Sequence, residues 1–297
     1  MAMNKHIFIA LAFLLLAVLL RYWIAPALEL LPADYTNATA LSEVDKFRDS
    51  PTGEWKSNTL NTQRVDQTIK TSDQTAIIEG ALHVYYASGA VNFEATSLYG
   101  VDRRTRLNLA GYGSADRTGQ YLFPTHVQPT GYPVWDPFFV GLRQAAFDHV
   151  EVIDGMQVYV YTIRGAGMDE TAGYSYLPDV PEHYLVHTDG EGTSWVEPLS
   201  GLMVDYKDSG VSYFVDPATG TRLADFNQWD ERYTPETRNA QIGLARAARL
   251  RILALEVWLP GGLVLVGLFF LGLFLVHRKK KVPPQTGTGT TSQVDRP

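Results

Sequence analysis

The residues best placed to do chemistry are His183 and His187, with Asp189 and Glu191 just behind them. On a strand, His183, Leu185 and His187 share one face, so two imidazoles and a carboxylate from the next turn could reach one metal ion. The same residues also read as an ordinary strand carrying polar histidines, because this spacing is common by chance. Gly111-Tyr112-Gly113-Ser114-Ala115 is half of a nucleophile elbow, without a compelling acid-then-histidine order after it. No phosphate-binding GxxxxGK loop and no dinucleotide fingerprint occurs, so no cofactor is expected. The chain has no cysteine, which excludes disulfides, thiolate catalysis and cysteine-held zinc or iron–sulfur centres. These residues point to a non-enzymatic protein.

A different chemistry is suggested by Pro124–Val140. Four prolines (Pro124, Pro129, Pro133, Pro137) stand among Tyr132, Trp135, Phe138 and Phe139. Proline denies this stretch a central strand. It reads either as a rigid extended loop packed on the core or as the wall of an apolar pocket. In the second reading Tyr132, Trp135, Phe138 and Phe139 are the ligand-binding residues.

The elements that must position these residues are strands. Thr75–Tyr86 is rich in branched and aromatic side chains, and Met156–Arg164 alternates as a half-buried strand does. Short strands are expected at Tyr184–His187, Thr193–Val196, Leu202–Tyr206 and Val211–Val215, with Gly, Asp and Asn clusters as turns between them. One turn recurs. Val196-Glu197-Pro198-Leu199-Ser200-Gly201 is matched by Val215-Asp216-Pro217-Ala218-Thr219-Gly220, and more weakly by Val101-Asp102-Arg103-Arg104-Thr105-Arg106. An acid and then proline favour a type I turn, and the final glycine supplies the left-handed residue that returns the chain to its partner strand. The expected fold is α+β, a mostly antiparallel β domain flanked by N- and C-terminal transmembrane helices.

Those flanks are apolar. Val257–Val276 carries no charge and has the roughly 20 residues a helix needs to cross a bilayer. Ile7–Leu20 is a shorter apolar run, followed by Arg21, Tyr22 and Trp23. Residues 1–27 read either as a signal peptide cut after Ala27 or as an anchor whose Arg21 snorkels to the interface. Thr234, Pro235 and Glu236 open a helix as cap, first position and dipole partner. That helix gives a juxtamembrane segment at 235–256, with Arg246, Arg249 and Arg251 facing the membrane, Glu256 paired with a nearby arginine, and a kink at Pro260-Gly261-Gly262. Residues 277–297 form a basic tail, and Arg278, Lys279, Lys280 and Lys281 place it in the cytoplasm. Residues 28–234 are then extracytoplasmic. From Leu28 to Pro235 there are 29 acidic and 14 basic residues, a balance of −15, which repels nucleic acid. The partners expected are membrane lipids and envelope proteins.

Four stretches carry a family resemblance: Tyr121–Pro124, Tyr132–Asp136, Asp154–Tyr161 and Ser194–Asp205. With them the chain resembles the actinobacterial porin PorA family, a domain of unknown function with an N-terminal apolar segment, a β-rich extracytoplasmic domain and a C-terminal membrane helix. The resemblance implies a cell-envelope protein and, by its label, a channel; it transfers no functional residue. A lipid-facing barrel needs strands of about 10 alternating residues with aromatic girdles, and the strands read here are short with acidic loops. The repeated hairpins look instead like those of lipoprotein-carrier half-barrels, a fold-level analogy. The function expected is therefore binding or shielding of an apolar ligand such as a lipid, with a structural subunit or a channel component as the alternatives.

Overall fold

The computed structural model describes residues 2–136 and 141–279. It forms two compact units, one from the first 28 residues together with the chain from Leu253, the other from Glu29–Ile252.

The first unit is helical. α1 (Ala2–Leu19) runs through a π turn (Leu20–Ile24) into α2 (Ala25–Leu28), and a second π turn (Ala254–Trp258) leads into α4 (Leu259–Lys279). Both helices are long and apolar enough to cross a membrane. Close approach comes from small residues: Ala10 and Ala17 are buried, and a Cβ on Gly267 would stand 3.1 Å from Leu14. Each π turn precedes an X-Pro step, Ala25-Pro26 and Leu259-Pro260. Proline brings no N–H to the ladder, and the wide turn absorbs that loss one residue early. The irregularity expected at Pro260-Gly261-Gly262 therefore falls at Ala254–Trp258. Arg21 of the first π turn and Glu256 of the second meet at 2.9 Å, so each apolar helix holds the opposite charge of the other.

The second unit is one antiparallel sheet of ten strands, curled into a half-barrel. The strands are β1 (Thr36–Phe47), β2 (Lys56–Thr71), β3 (Thr75–Tyr86), β4 (Val91–Asp102), β5 (Tyr132–Asp136), β6 (Gly141–Ile153), β7 (Met156–Asp169), β8 (Leu185–Val196), β9 (Met203–Val215) and β10 (Arg222–Tyr233). Their order is β4-β3-β2-β1-β10-β9-β8-β7-β6-β5, so β1 against β10 joins two meanders. The α+β expectation holds.

The short strands do not. The pairs expected at 184–196 and 202–215 are single strands of 12 and 13 residues. The glycines that read as turns are in fact paired across strands, Gly165 with Gly190 and Gly190 with Gly210. They make room for a ring: a Cβ on Gly210 would lie 2.3 Å from the Trp229 indole. Glycine marks close packing here.

The recurrent turn is built as the sequence predicts. Gly201 donates to the Glu197 carbonyl and Glu197 to that of Leu202; Gly220 and Asp216 repeat the pattern with Asp216 and Thr221. Both glycines have positive φ, 71° and 69°. The third copy, at Asp102–Leu107, has the same two bonds, but Arg106 takes the left-handed position at φ 61°. β6 to β7 turns on Asp154-Gly155, both at positive φ, a hairpin signal the sequence carried openly.

α3 (Pro235–Leu253) starts as expected. Thr234 Oγ1 accepts from the Thr237 amide, and Thr237 Oγ1 accepts from the Ala40 amide. Ile242 and Ala245 then pack on Ile153, Met156, Val158 and Val204. Arg246 and Arg249 are not free flanking charges. Arg246 donates to the Asp154 carbonyl, and Arg249 to the fully buried Glu197 at 2.9 Å.

Candidate functional site

The inner face of the sheet is covered at one end by residues 103–131 and at the other by 170–184. Under the first, Phe123 and Val127 pack on Ala145, Tyr161 and Ile163. Under the second, Leu177 and Val180 pack on Val186, Phe214 and Phe226. Two hollows lie on this face, one beneath the 103–131 segment and one beside the 170–184 segment.

The first hollow sits where the sheet fails to close. β4 and β5 are the two ends of the strand order. Residues 107–120 stitch the gap: Leu109 donates to the Gly100 carbonyl, Asn108 to Gly119, Gln120 to Pro133, and Trp135 to Gln120. Beneath this seam is a cavity of about 170 Å³, walled by Leu41, Tyr121, Phe123, Trp135, Ile163 and Met203 among others. The charged side chains in its lining are Arg64 and Asp66. They bind each other in a fork, with Arg64 Nε 3.0 Å from both carboxylate oxygens and Nη2 3.0 Å from Oδ1. Gly80 lies opposite Asp66 in register, and a Cβ there would sit 2.8 Å from Oδ1. Burial works against the Arg64 charge, but Asp66 outweighs it and holds the guanidinium above its ordinary value. Burial, with Asp66 adding to it, raises the phenols of Tyr121 and Tyr233, so both stay hydroxyls.

Arg106 braces this end from behind. Its Nη1 donates to the Phe123 carbonyl at 2.8 Å and to the Ser200 carbonyl at 2.7 Å. It thus fastens the weak copy of the turn to the first strong one, and burial pulls its pKa down to about 10.

The second hollow, about 640 Å³, is lined by Glu43, Asp45, Asp49, Glu170 and Glu231 and by aromatic rings including Phe47, Tyr174 and Trp229. Glu43 pairs with Glu231 across β1 and β10, and Glu231 with Asp208 across β10 and β9. Three carboxyl groups therefore stand in one row. Like charges so placed repel. Burial first, then Asp45 and Asp208, push Glu43 up to about 7. Asp45 is raised by burial as well, against amide bonds from Asn227 and Asn58.

The residues singled out by sequence are spread over these features. Trp135 and Val134 of β5 line the cavity. Tyr132 packs edge-on against Phe123 and Tyr161, and its hydroxyl accepts from the Gln128 amide. Phe138 and Phe139 lie outside the described residues. β5 is an edge strand, as Pro133 within it requires. His183 precedes β8 in a turn, 3.7 Å from Asp179. His187 lies within β8, opposite Tyr213 and Asp169. The two histidines fall in different elements and form no common ligand set among the described residues. Arg64, Asp66 and Arg106 were missed. The signal for the first two was two opposite charges at alternate positions of one strand.

The sequence profile described as "Porin PorA" matches residues 6–276. The chain belongs to that family. Among solved structures it is similar to DynF from the dynemicin biosynthesis pathway of Micromonospora chersina, at 7% identity, covering 70% of this chain and 85% of that one, with a TM-score of 0.25. It is also similar to a LolA superfamily protein from Nitrosomonas europaea, at 12% identity, 76% and 91% coverage, and a TM-score of 0.16. No curated protein matches the chain.

Proposed function

We propose that this is a non-enzymatic, membrane-held envelope protein whose β domain binds an apolar ligand, such as a lipid, with one end of the molecule in the cavity beneath the β4–β5 seam. The observation that carries the reading is the cavity itself, walled mainly by apolar and aromatic side chains at the seam between β4 and β5, the two ends of the strand order. Two helices are long and apolar enough to hold the domain to a bilayer, and the basic residues after Val276 support a cytoplasmic tail with the β domain outside. Trp135 serves as a wall residue, as its sequence context suggests.

Photo-crosslinking tests this. Full-length protein in liposomes, with a trace of diazirine-bearing lipid, is expected to be labelled on peptides containing Tyr121, Phe123 or Trp135. Thr39 lines the cavity, and Thr39→Phe should cut that labelling about tenfold. Labelling confined to α1 and α4 would overturn the proposal.

The family's label favours a second reading, a channel component. The outward residues of β2 include exposed Asn61, Gln63 and Gln67, which do not make a lipid-facing band. Conduction would then have to come from the helices of several copies. Conductance steps in planar bilayers that survive deletion of Glu29–Ile252 would support that reading over ligand binding.

A further inference from the structure

We infer that the occupant of the cavity is a neutral amphiphile, whose polar end carries a hydroxyl or an N–H amide rather than a carboxylate, a phosphate or an ammonium. This rests on the binding reading above and narrows it to a chemical class.

The first ground is charge. Arg64 and Asp66 supply the cavity's charged lining, and each is spent on the other in the bidentate fork. Their side chains are 15% and 7% exposed, so the pair is shielded from water. An anion would stand as a second negative charge beside one guanidinium, and a cation as a second positive charge beside one carboxylate. Either leaves a buried charge uncompensated, which is strongly unfavourable. Arg106 offers no substitute, because it is not among the residues that line the cavity and its Nη1 braces the carbonyls of Phe123 and Ser200 from behind.

The second ground is the set of neutral polar atoms. Asn108 is 9% exposed and lines the cavity. Its amide nitrogen faces the carbonyls of Thr118 and Gly119, which fixes the orientation of the group. Its Oδ1 is buried without a partner, and so is the hydroxyl of Tyr121, another lining residue. Asn108 Oδ1 only accepts; the Tyr121 hydroxyl donates or accepts. A ligand hydroxyl can serve both, whereas a carboxylate has no proton to give to Asn108. Unmatched buried polar atoms of this kind discriminate strongly between ligands that satisfy them and ligands that do not.

The third ground is size. A dry cavity of about 150 Å³ holds one benzene ring. At about 170 Å³ this cavity receives one end of a lipid-sized molecule. Given the atoms that line it, that end is the polar head with its first carbons, and the remaining chain lies outside.

The test uses full-length protein in nanodiscs of zwitterionic lipid and two photo-reactive probes of equal chain length, a monoacylglycerol and the matching fatty acid, each with its diazirine near the head. Peptide mass spectrometry reads labelling around Tyr121 and Trp135. The monoacylglycerol is expected to label at least tenfold more than the acid. Asp66→Asn releases Arg64 and should raise fatty-acid labelling at least fivefold. The double variant Arg64→Met, Asp66→Asn removes both charges and should keep the neutral preference, which guards against a folding defect in the single variant. Equal or stronger labelling of the wild type by the fatty acid would overturn this inference and leave the binding proposal standing. Absence of both labels from the cavity peptides would overturn the two together.

Discussion

The two ends of the inner face treat charge in opposite ways. At the seam, Arg64 and Asp66 cancel within a fork of 3.0 Å contacts. Toward the 170–184 segment, Glu43, Glu231 and Asp208 stand in register, with no basic side chain among the residues of that hollow. The first arrangement is neutral by pairing. In the second, burial and the neighbouring Asp45 and Asp208 push Glu43 up to about 7, so its charge changes with pH. A buried ion pair is costly to break, and a buried row of carboxyls is costly to ionise.

The sharpest way to break the comparison is Asp66→Ala. It leaves Arg64 buried and uncompensated, and should destabilise the β domain by about 3–5 kcal/mol in chemical unfolding followed by tryptophan fluorescence. Loss below 1 kcal/mol would mean that the pair is not structural. Next is Glu43→Gln. The folded-state pKa of Glu43 is raised to about 7, so its protonation favours the folded state. The stability this brings is fully present below the unfolded value, near 4.5, and disappears as pH rises through about 7. Glu43→Gln should therefore gain about 2 kcal/mol over wild type at pH 8 and almost nothing at pH 4. A pH-independent difference would show that the row does not titrate as a unit. Smaller still is Asn58→Lys, which brings a cation opposite Asp45 in register. About 0.5–1 kcal/mol of stabilisation is expected at pH 8, with a lower titration midpoint for the row. Tyr121→Phe should be the gentlest, within about 0.5 kcal/mol of wild type, because its hydroxyl has no partner to lose. It should still reduce labelling by the neutral probe.

Much of the frame was legible in the chain. The acid-proline-glycine turns, the Thr234 cap and the two apolar helices follow from local chemistry and appear as read. Local chemistry misled where tertiary packing overrides it. Gly190 and Gly210 have the composition of a turn, yet they are strand residues because Trp229 needs the space above them. Arg246 and Arg249 looked like membrane flank, but a buried acid at Glu197 and an open carbonyl at Asp154 claim them. One reading of the aromatics among prolines makes Trp135 a pocket wall, and it lines the cavity. Arg64 and Asp66 were overlooked because an Arg-x-Asp step becomes an interior ion pair only when the sheet curls over it.

The unpaired ends of the sheet bear on time as well as on space. Along β1 and β2 the ladder runs unbroken for twelve residue pairs, and parting them would mean unfolding the domain. At the seam the backbone links are isolated bridges at Val101–Asn108, Leu107–Gln120 and Gln120–Val134. Separation there requires the loss of a few hydrogen bonds and leaves the rest of the sheet intact. Exchange of an occupant would then be paced by this local fluctuation. The amide protons of Gln120 and Trp135 would report its frequency in a hydrogen-exchange measurement, long before global unfolding contributes. A bound molecule that stays for seconds and one that stays for hours would differ in how firmly they hold that seam shut.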